Sequence, residues 1–246
     1  MSGLVIVTGA SSGLGLALAQ SVPFSARVVD ISRSGPPSGT HIEHITADLS
    51  DPNSWPRVAG EVESMFRDMG PTRSVFIHSA GTLTPISHVS DADTTAYTRN
   101  VLLNSAAGQV LGMAFLKAVT ASPSPAESPG IHDLVMISSG AASNAYPGWA
   151  AYGAGKAALD HWVRGVGLEQ KIRGAVRVAA IAPGVLDTAM QAEIRATRES
   201  DFPDGDRFRK LKSEGNLVSP EDAAHRMWQL IESGLETGSV VDLRNL

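Results

Sequence analysis

Seven short, apolar, β-branched runs recur along the chain, and longer segments with helical patterning separate them. The runs fall at residues 4–8, 27–31, 41–46, 74–78, 133–138, 176–181 and 239–243, each bounded by Gly, Pro, Ser or Asp. Near-continuous apolar runs of this length are what strands buried on both faces look like. The intervening segments, 13–21, 51–69, 93–120, 151–171 and 220–233, are long enough for helical crossovers. Strand–helix alternation of this kind predicts a doubly wound α/β fold, a parallel sheet of about seven strands with helices on both faces. Two stretches break the rhythm. Residues 121–130 are rich in Pro and Ser and read as an exposed loop. Residues 186–215 are long and charged and follow a strand end. Ligands of open α/β sheets bind outside the carboxyl ends of the strands, so this stretch is predicted to be a substrate lid.

At 246 residues the chain fits one domain, 1–246, large enough to bury a core without a staple. It has no cysteine, which removes disulfides, thiolate nucleophiles and thiolate metal sites from consideration. The net charge of −5 and the absence of a basic stripe argue against nucleic acid and anionic membranes as partners. The seven histidines show no metal-ligand spacing, so no metal is expected. Met1-Ser2-Gly3 leads straight into an apolar run with no charged leader, and no apolar run reaches membrane-spanning length. A cytoplasmic protein is the expectation.

The first strand runs into Thr8-Gly9-Ala10-Ser11-Ser12-Gly13-Leu14-Gly15, and a helical pattern follows at once. Glycines here let the backbone turn tightly and approach a pyrophosphate, while the helix start offers free N–H groups. Further on, Lys156 stands four residues after Tyr152. On a helix both side chains share one face, one turn apart. A phenol ordinarily titrates near pH 10, and a neighbouring cation favours the phenolate. The pair therefore predicts a lowered phenol pKa.

The octapeptide resembles the cofactor motif of the short-chain dehydrogenase/reductase family, and the family's other motifs follow in order. His78-Ser79-Ala80-Gly81 stands where the family has Asn-Asn-Ala-Gly, so both asparagines are replaced. Asp48-Leu49, Asn104, Ile137-Ser138-Ser139, Tyr152-Gly153-Ala154-Gly155-Lys156 and Pro183-Gly184 with Thr188 match in turn. Asn100 competes for the helix-four asparagine, and Asn104 fits the spacing better. The resemblance implies that Tyr152 donates the proton and that Lys156 holds the nicotinamide ribose. Ser139 would bond the substrate oxygen, and Asn104 would hold a relay water. It further implies a cofactor cradle of Gly9, Ser11, Ser12, Gly13, Leu14, Gly15, Asp48, Leu49, Ala80, Gly81, Pro183, Gly184, Val185 and Thr188. Within the family, residues 148–152, 182–190 and 238–242 are similar to sepiapterin reductases and bacterial benzil reductases. That similarity implies substrate contacts from Trp149 and Asp242, the acid anchoring a pterin ring.

Counted from Thr8 in the family pattern, Ser32 takes the position of the acid that selects NAD, and Arg33 the basic position after it. A hydroxyl followed by an arginine fork suits a 2′-phosphate, so NADP(H) is the expected cofactor. Asp30, two residues earlier, is the competing selector. The resemblance thus implies an enzyme reducing a ketone or diketone carbonyl of a small molecule with NADPH. The alternatives are a dinucleotide-sensing regulator without turnover, and an NAD-dependent alcohol dehydrogenase of the same family. Family members pair as homodimers or homotetramers through their fourth and fifth helices. Residues 106–108 and 165–167 would permit close approach there.

Overall fold

A computed structural model describes residues 3–122 and 130–246. Residues 123–129 of the Pro/Ser-rich stretch lie outside the described residues. Seven parallel strands form one sheet: β1 Gly3–Thr8, β2 Ala26–Ser32, β3 Glu43–Thr46, β4 Arg73–His78, β5 Ile131–Ile137, β6 Arg177–Ala182 and β7 Ser239–Asp242. Their order is β3-β2-β1-β4-β5-β6-β7. The sheet grows outward in both directions from β1, so the order reverses between β1 and β4. That switch point opens a crevice at the carboxyl ends of the strands, where a ligand fits.

Helices cover both faces, as buried apolar strands require. On one side α2 (Trp55–Met69), α4 (Gly108–Ala121) and α5 (Ala150–Arg173) bury Val58, Phe66, Leu111, Phe115, Leu159 and Val163. On the other, α1 (Gly13–Gln20) and α8 (Pro220–Ser233) bury Leu18, Met227, Trp228 and Ile231. The helix expected at 93–120 is present but interrupted. α3 (Thr94–Val101) passes through a π-helical turn at Leu102–Ala107 before continuing as α4. Together these form the one helix among the described residues that is long and apolar enough to cross a membrane, Thr94–Ala121. It is instead part of the packing against α2 and the sheet.

The stretch 186–215 is not irregular. It folds into α6 (Ala189–Ala196) and α7 (Gly205–Ser213). The glycines expected to serve a subunit contact are mostly used inside the fold. An added Cβ on Gly108 would meet His78 at 2.8 Å, and one on Gly167 would meet the Gly238 backbone at 2.3 Å. Only Gly165 of these stands open, with nothing within 4 Å.

Candidate active site

The glycine turn is built by close backbone approach. A Cβ on Gly15 would lie 2.3 Å from the Gly9 carbonyl oxygen, and one on Gly9 would lie 2.9 Å from Ala80 Cα. Gly9 and Gly13 also hold positive φ, at 75° and 54°, which side chains resist. Together they bring Ser11, Ser12, Leu14 and the start of α1 to the rim of a cleft of about 990 Å³. Ala80, Gly81, Pro183, Gly184, Val185 and Thr188 line the same cleft, as do Asp48 and Leu49. Every expected cofactor residue therefore meets in one place. The cradle fits a dinucleotide, since side chains at its glycines would fill it.

At the end of β2 the structure separates the candidate selectors. Asp30 is fully buried. One carboxylate oxygen accepts the Ala10 N–H at 2.7 Å. The other accepts the Ser32 hydroxyl at 2.6 Å and faces His44 Nδ1 at 2.8 Å. Asp30 thus braces the glycine turn from behind. Ser32 spends its proton on Asp30 and accepts the Gly35 N–H at 3.1 Å, so it shapes the bend. Arg33 lines the cleft, exposed, and among the described residues no carboxylate is bound to it.

α5 carries Tyr152 and Lys156, both buried, on the face turned to the sheet. Lys156 Nζ donates to the Ile137 carbonyl at 2.8 Å, which fixes the ammonium over the end of β5. Burial pulls the Lys156 ammonium down to about 8, against the opposing charge of Asp160. Burial pushes the Tyr152 phenol above its ordinary value, against a hydrogen bond with Ser139. Spacing predicted the opposite direction for the phenol. The ammonium lies 5.8 Å from the ring centroid and is turned to Ile137, so desolvation dominates. The phenol remains protonated in the neutral range, as a donor should be.

Asn104 is fully buried in the π-turn. Its amide spans the loop after β4, donating to the Thr82 carbonyl at 2.7 Å and accepting the Thr82 N–H at 3.1 Å. Asn100 donates to the Thr84 carbonyl at 3.0 Å and accepts from Asn104 at 2.8 Å. The two asparagines therefore work as a pair. Asn104 does not line the cleft; it stands behind Gly81, where a Cβ would be 3.0 Å from its Oδ1 and 3.7 Å from Lys156 Nζ.

His78 replaces an expected asparagine and is fully buried. Thr8 Oγ1 accepts the N–H groups of Ser79 and Ala80, each at 3.1 Å, so its own proton goes to His78 Nδ1 at 3.0 Å. The ring proton then sits on Nε2, which has no full hydrogen bond. Burial, with Lys156 nearby, holds His78 down to about 3, so it is neutral.

Aromatic side chains close the substrate end. Trp149 meets Tyr152 edge-on at 5.7 Å and stacks on Phe202 at 4.6 Å. Tyr146 lies 5.0 Å from Trp149 and Phe208 lies 5.4 Å from it. Phe202 and Phe208 come from the 186–215 stretch, so this segment is packed over Tyr152. Of the lining groups, Tyr146, Phe208, Arg207 and Arg244 were not anticipated individually. Only the placement of 186–215 after a strand end signalled two of them. Asp242 is not brought to the cleft. Its carboxylate caps the turn after β7 and is bound by Arg244 at 2.5 Å, and Arg244 is the side chain that lines the cavity.

The arrangement can bind a dinucleotide along the strand ends and present a protonated phenol to a carbonyl in an aromatic pocket. The chain is similar to known proteins. The chain is 35% identical to a benzil reductase ((S)-benzoin forming) of Bacillus subtilis, over 98% of each chain. It is 30% identical to sepiapterin reductase of Bos taurus, over 97% of this chain and 93% of that one. The crystal structure of the KRED1-Pglu enzyme superposes with a TM-score of 0.80 at 28% identity, covering 97% of this chain and all of that one. The family description "short chain dehydrogenase" matches residues 3–199, which takes in the glycine turn, Tyr152, Lys156 and α6. By that match and those relatives, the chain belongs to the short-chain dehydrogenase family of oxidoreductases.

Proposed function

We propose that the protein is an NADPH-dependent carbonyl reductase acting on aryl ketones or diketones. The observation that carries the reading is the convergence of Tyr152, Ser139 and Lys156 at the floor of a cleft with aromatic walls. When bound, the nicotinamide supplies the hydride for the carbonyl carbon. Tyr152 gives its proton to the carbonyl oxygen, which Ser139 also bonds as its negative charge grows. Lys156, anchored at the Ile137 carbonyl and lining the same cleft, holds the nicotinamide ribose. Asn104 and Asn100 hold the loop after β4 against the same helix face.

The cofactor reading rests on β2. Asp30 has its acceptors filled from within the fold, and Arg33 is free to meet a 2′-phosphate. Residues 186–215 act as the substrate lid of the single domain. The enzyme is cytoplasmic and oligomeric; Met113 on α4 and Leu168 and Ile172 on α5, 44%, 66% and 88% exposed, supply an apolar surface for subunit pairing. Aromatic walls favour an aryl substrate over a pterin, because Asp242 is already bound by Arg244.

The test is oxidation of NADPH, followed optically, with benzil as acceptor and NADH in parallel. Benzil-dependent turnover with preference for NADPH is expected. Tight NADPH binding without turnover on benzil, pterin carbonyls or simple ketones would favour a cofactor-sensing role instead.

A further inference from the structure

The substrate end of the cleft carries hydrogen-bond donors without acceptors. Arg207 lines it; among the described residues no carboxylate is bound to it, and Nη1 donates to the Tyr146 hydroxyl at 3.2 Å. Trp149 Nε1 and Gln191 Nε2 are buried donors in the same wall, and neither has a partner among the described residues. The acids that line the cleft are occupied elsewhere. Asp48 is bound by Arg99 and Asp187 by Lys212, each at 2.5 Å, and Glu221 stands in the first turn of α8, where the helix dipole holds its charge.

The position of Arg207 is also unfavourable for the fold alone. It is the third residue of α7, and a cation in a first turn opposes the helix dipole. Asp206 beside it offers no relief, since its carboxylate is bound by Arg209 at 2.6 Å. An arginine fork held by a tyrosine, facing a cavity and lacking an anion, is arranged to receive a planar carboxylate. Tyr146, Arg207 and Tyr152 line the same cleft, so one ligand can reach both the arginine and the phenol, along the wall that Trp149 forms between the two tyrosines at 5.0 and 5.7 Å.

We propose that the substrate is an aryl ketone bearing a carboxylate at the end remote from its reducible carbonyl, and that Arg207, oriented by Tyr146, binds that carboxylate. The inference rests on the carbonyl-reductase reading and narrows it to an acidic substrate class. It separates this chain from enzymes that need only a neutral diketone.

The experiment compares benzil with benzil-4-carboxylate under NADPH, in the wild type and in Arg207→Met, Arg207→Lys and Tyr146→Phe. In the wild type, kcat/KM for the carboxylate should exceed that for benzil about tenfold or more. The advantage should lie in KM and shrink as salt is raised. Arg207→Met should bring the ratio of the two kcat/KM values to near one. Arg207→Lys should keep part of it, and Tyr146→Phe should lower it by loosening the fork. Cofactor binding by each variant, read from NADPH fluorescence, confirms that it is folded. A wild-type ratio of one with good benzil turnover overturns the acidic class and leaves the reductase reading standing. A ratio unchanged in both Arg207→Met and Tyr146→Phe overturns the assignment of Arg207. Refusal of both ketones by the wild type overturns the inference and the reductase reading together.

Discussion

At Tyr152 the protein holds a phenol out of water, with burial keeping its proton on. Tyr152→Phe removes the donor and almost no volume. Turnover should fall by at least ~10² while NADPH still binds, read by steady-state rates beside a fluorescence titration. Near-normal turnover would place the proton source elsewhere. Arg33 is a residue of the opposite kind, exposed and charged. A charge-assisted contact contributes about 1.5–3 kcal/mol, so Arg33→Ala should cut kcat/KM for NADPH roughly 10- to 150-fold and hardly change it for NADH. His78 stores a pH dependence. Its folded value of about 3 lies below the ordinary 6.5, so the stability it allows is present above pH 6.5 and is lost as pH falls toward 3. Between pH 7 and 5 this one group should cost about 2 kcal/mol, measured by urea unfolding. His78→Asn, the family's residue, should flatten that limb; an equally steep loss in the variant would assign the acid sensitivity to other groups.

At the scale of the element, glycine has opposite meanings in two helices. Gly155 lies on α5 against the π-turn, where a Cβ would sit 2.8 Å from Asn104 Cβ and 3.3 Å from its carbonyl. Gly155→Ala should push α5 off Asn104, lowering both the melting temperature and activity. Gly60 on α2 has nothing within 4 Å, so alanine there gains only helix propensity. Gly60→Ala should stabilise by about 0.5–1 kcal/mol in the same urea measurement. Equal signs for the two variants would refute the packing argument. The periodicity of 93–120 gave no warning of the π-turn, because one extra residue in a turn leaves the apolar pattern of the flanking helix nearly intact. Similarly, the sequence of 186–215 marks a charged stretch after a strand end, placed as a lid, but does not mark the helices α6 and α7 in it. The large buried apolar residues of this stretch, Ile194 on α6, Phe202 between the helices and Phe208 on α7, are few, and they find their partners in Trp149 and Tyr152, far away in sequence.

Across the whole molecule, the apolar residues left outside predict assembly. Leu168 and Ile172 lie on the outer face of α5, and exposed patches of this kind mark interfaces. The native mass by light scattering should be that of a dimer or tetramer. The double variant Leu168→Glu, Ile172→Glu should shift it toward the monomer, whereas an unchanged mass would move the interface to another face. Gly108 and Gly167 take no part in this, since both are filled from within.

The sequence by itself determined the sheet and most of the cleft. Strand runs, the glycine turn and the Tyr152–Lys156 spacing are local features, set by residues within one turn or one strand of each other. All seven strands lie within a few residues of where their patterns put them. Tertiary structure alone decided the electrostatics and the substrate wall. Whether a phenol titrates high or low depends on its burial and on where a lysine's nitrogen points, and Lys156 points to Ile137. Whether an acid faces a ligand depends on which partner reaches it first; Asp30 is claimed by Ala10 and Ser32, and Asp242 by Arg244. Arg207 and Tyr146, 61 residues apart, meet only because the segment 186–215 folds back over the strand ends. No local pattern encodes such a contact, since it is made by packing between segments that the chain itself keeps distant.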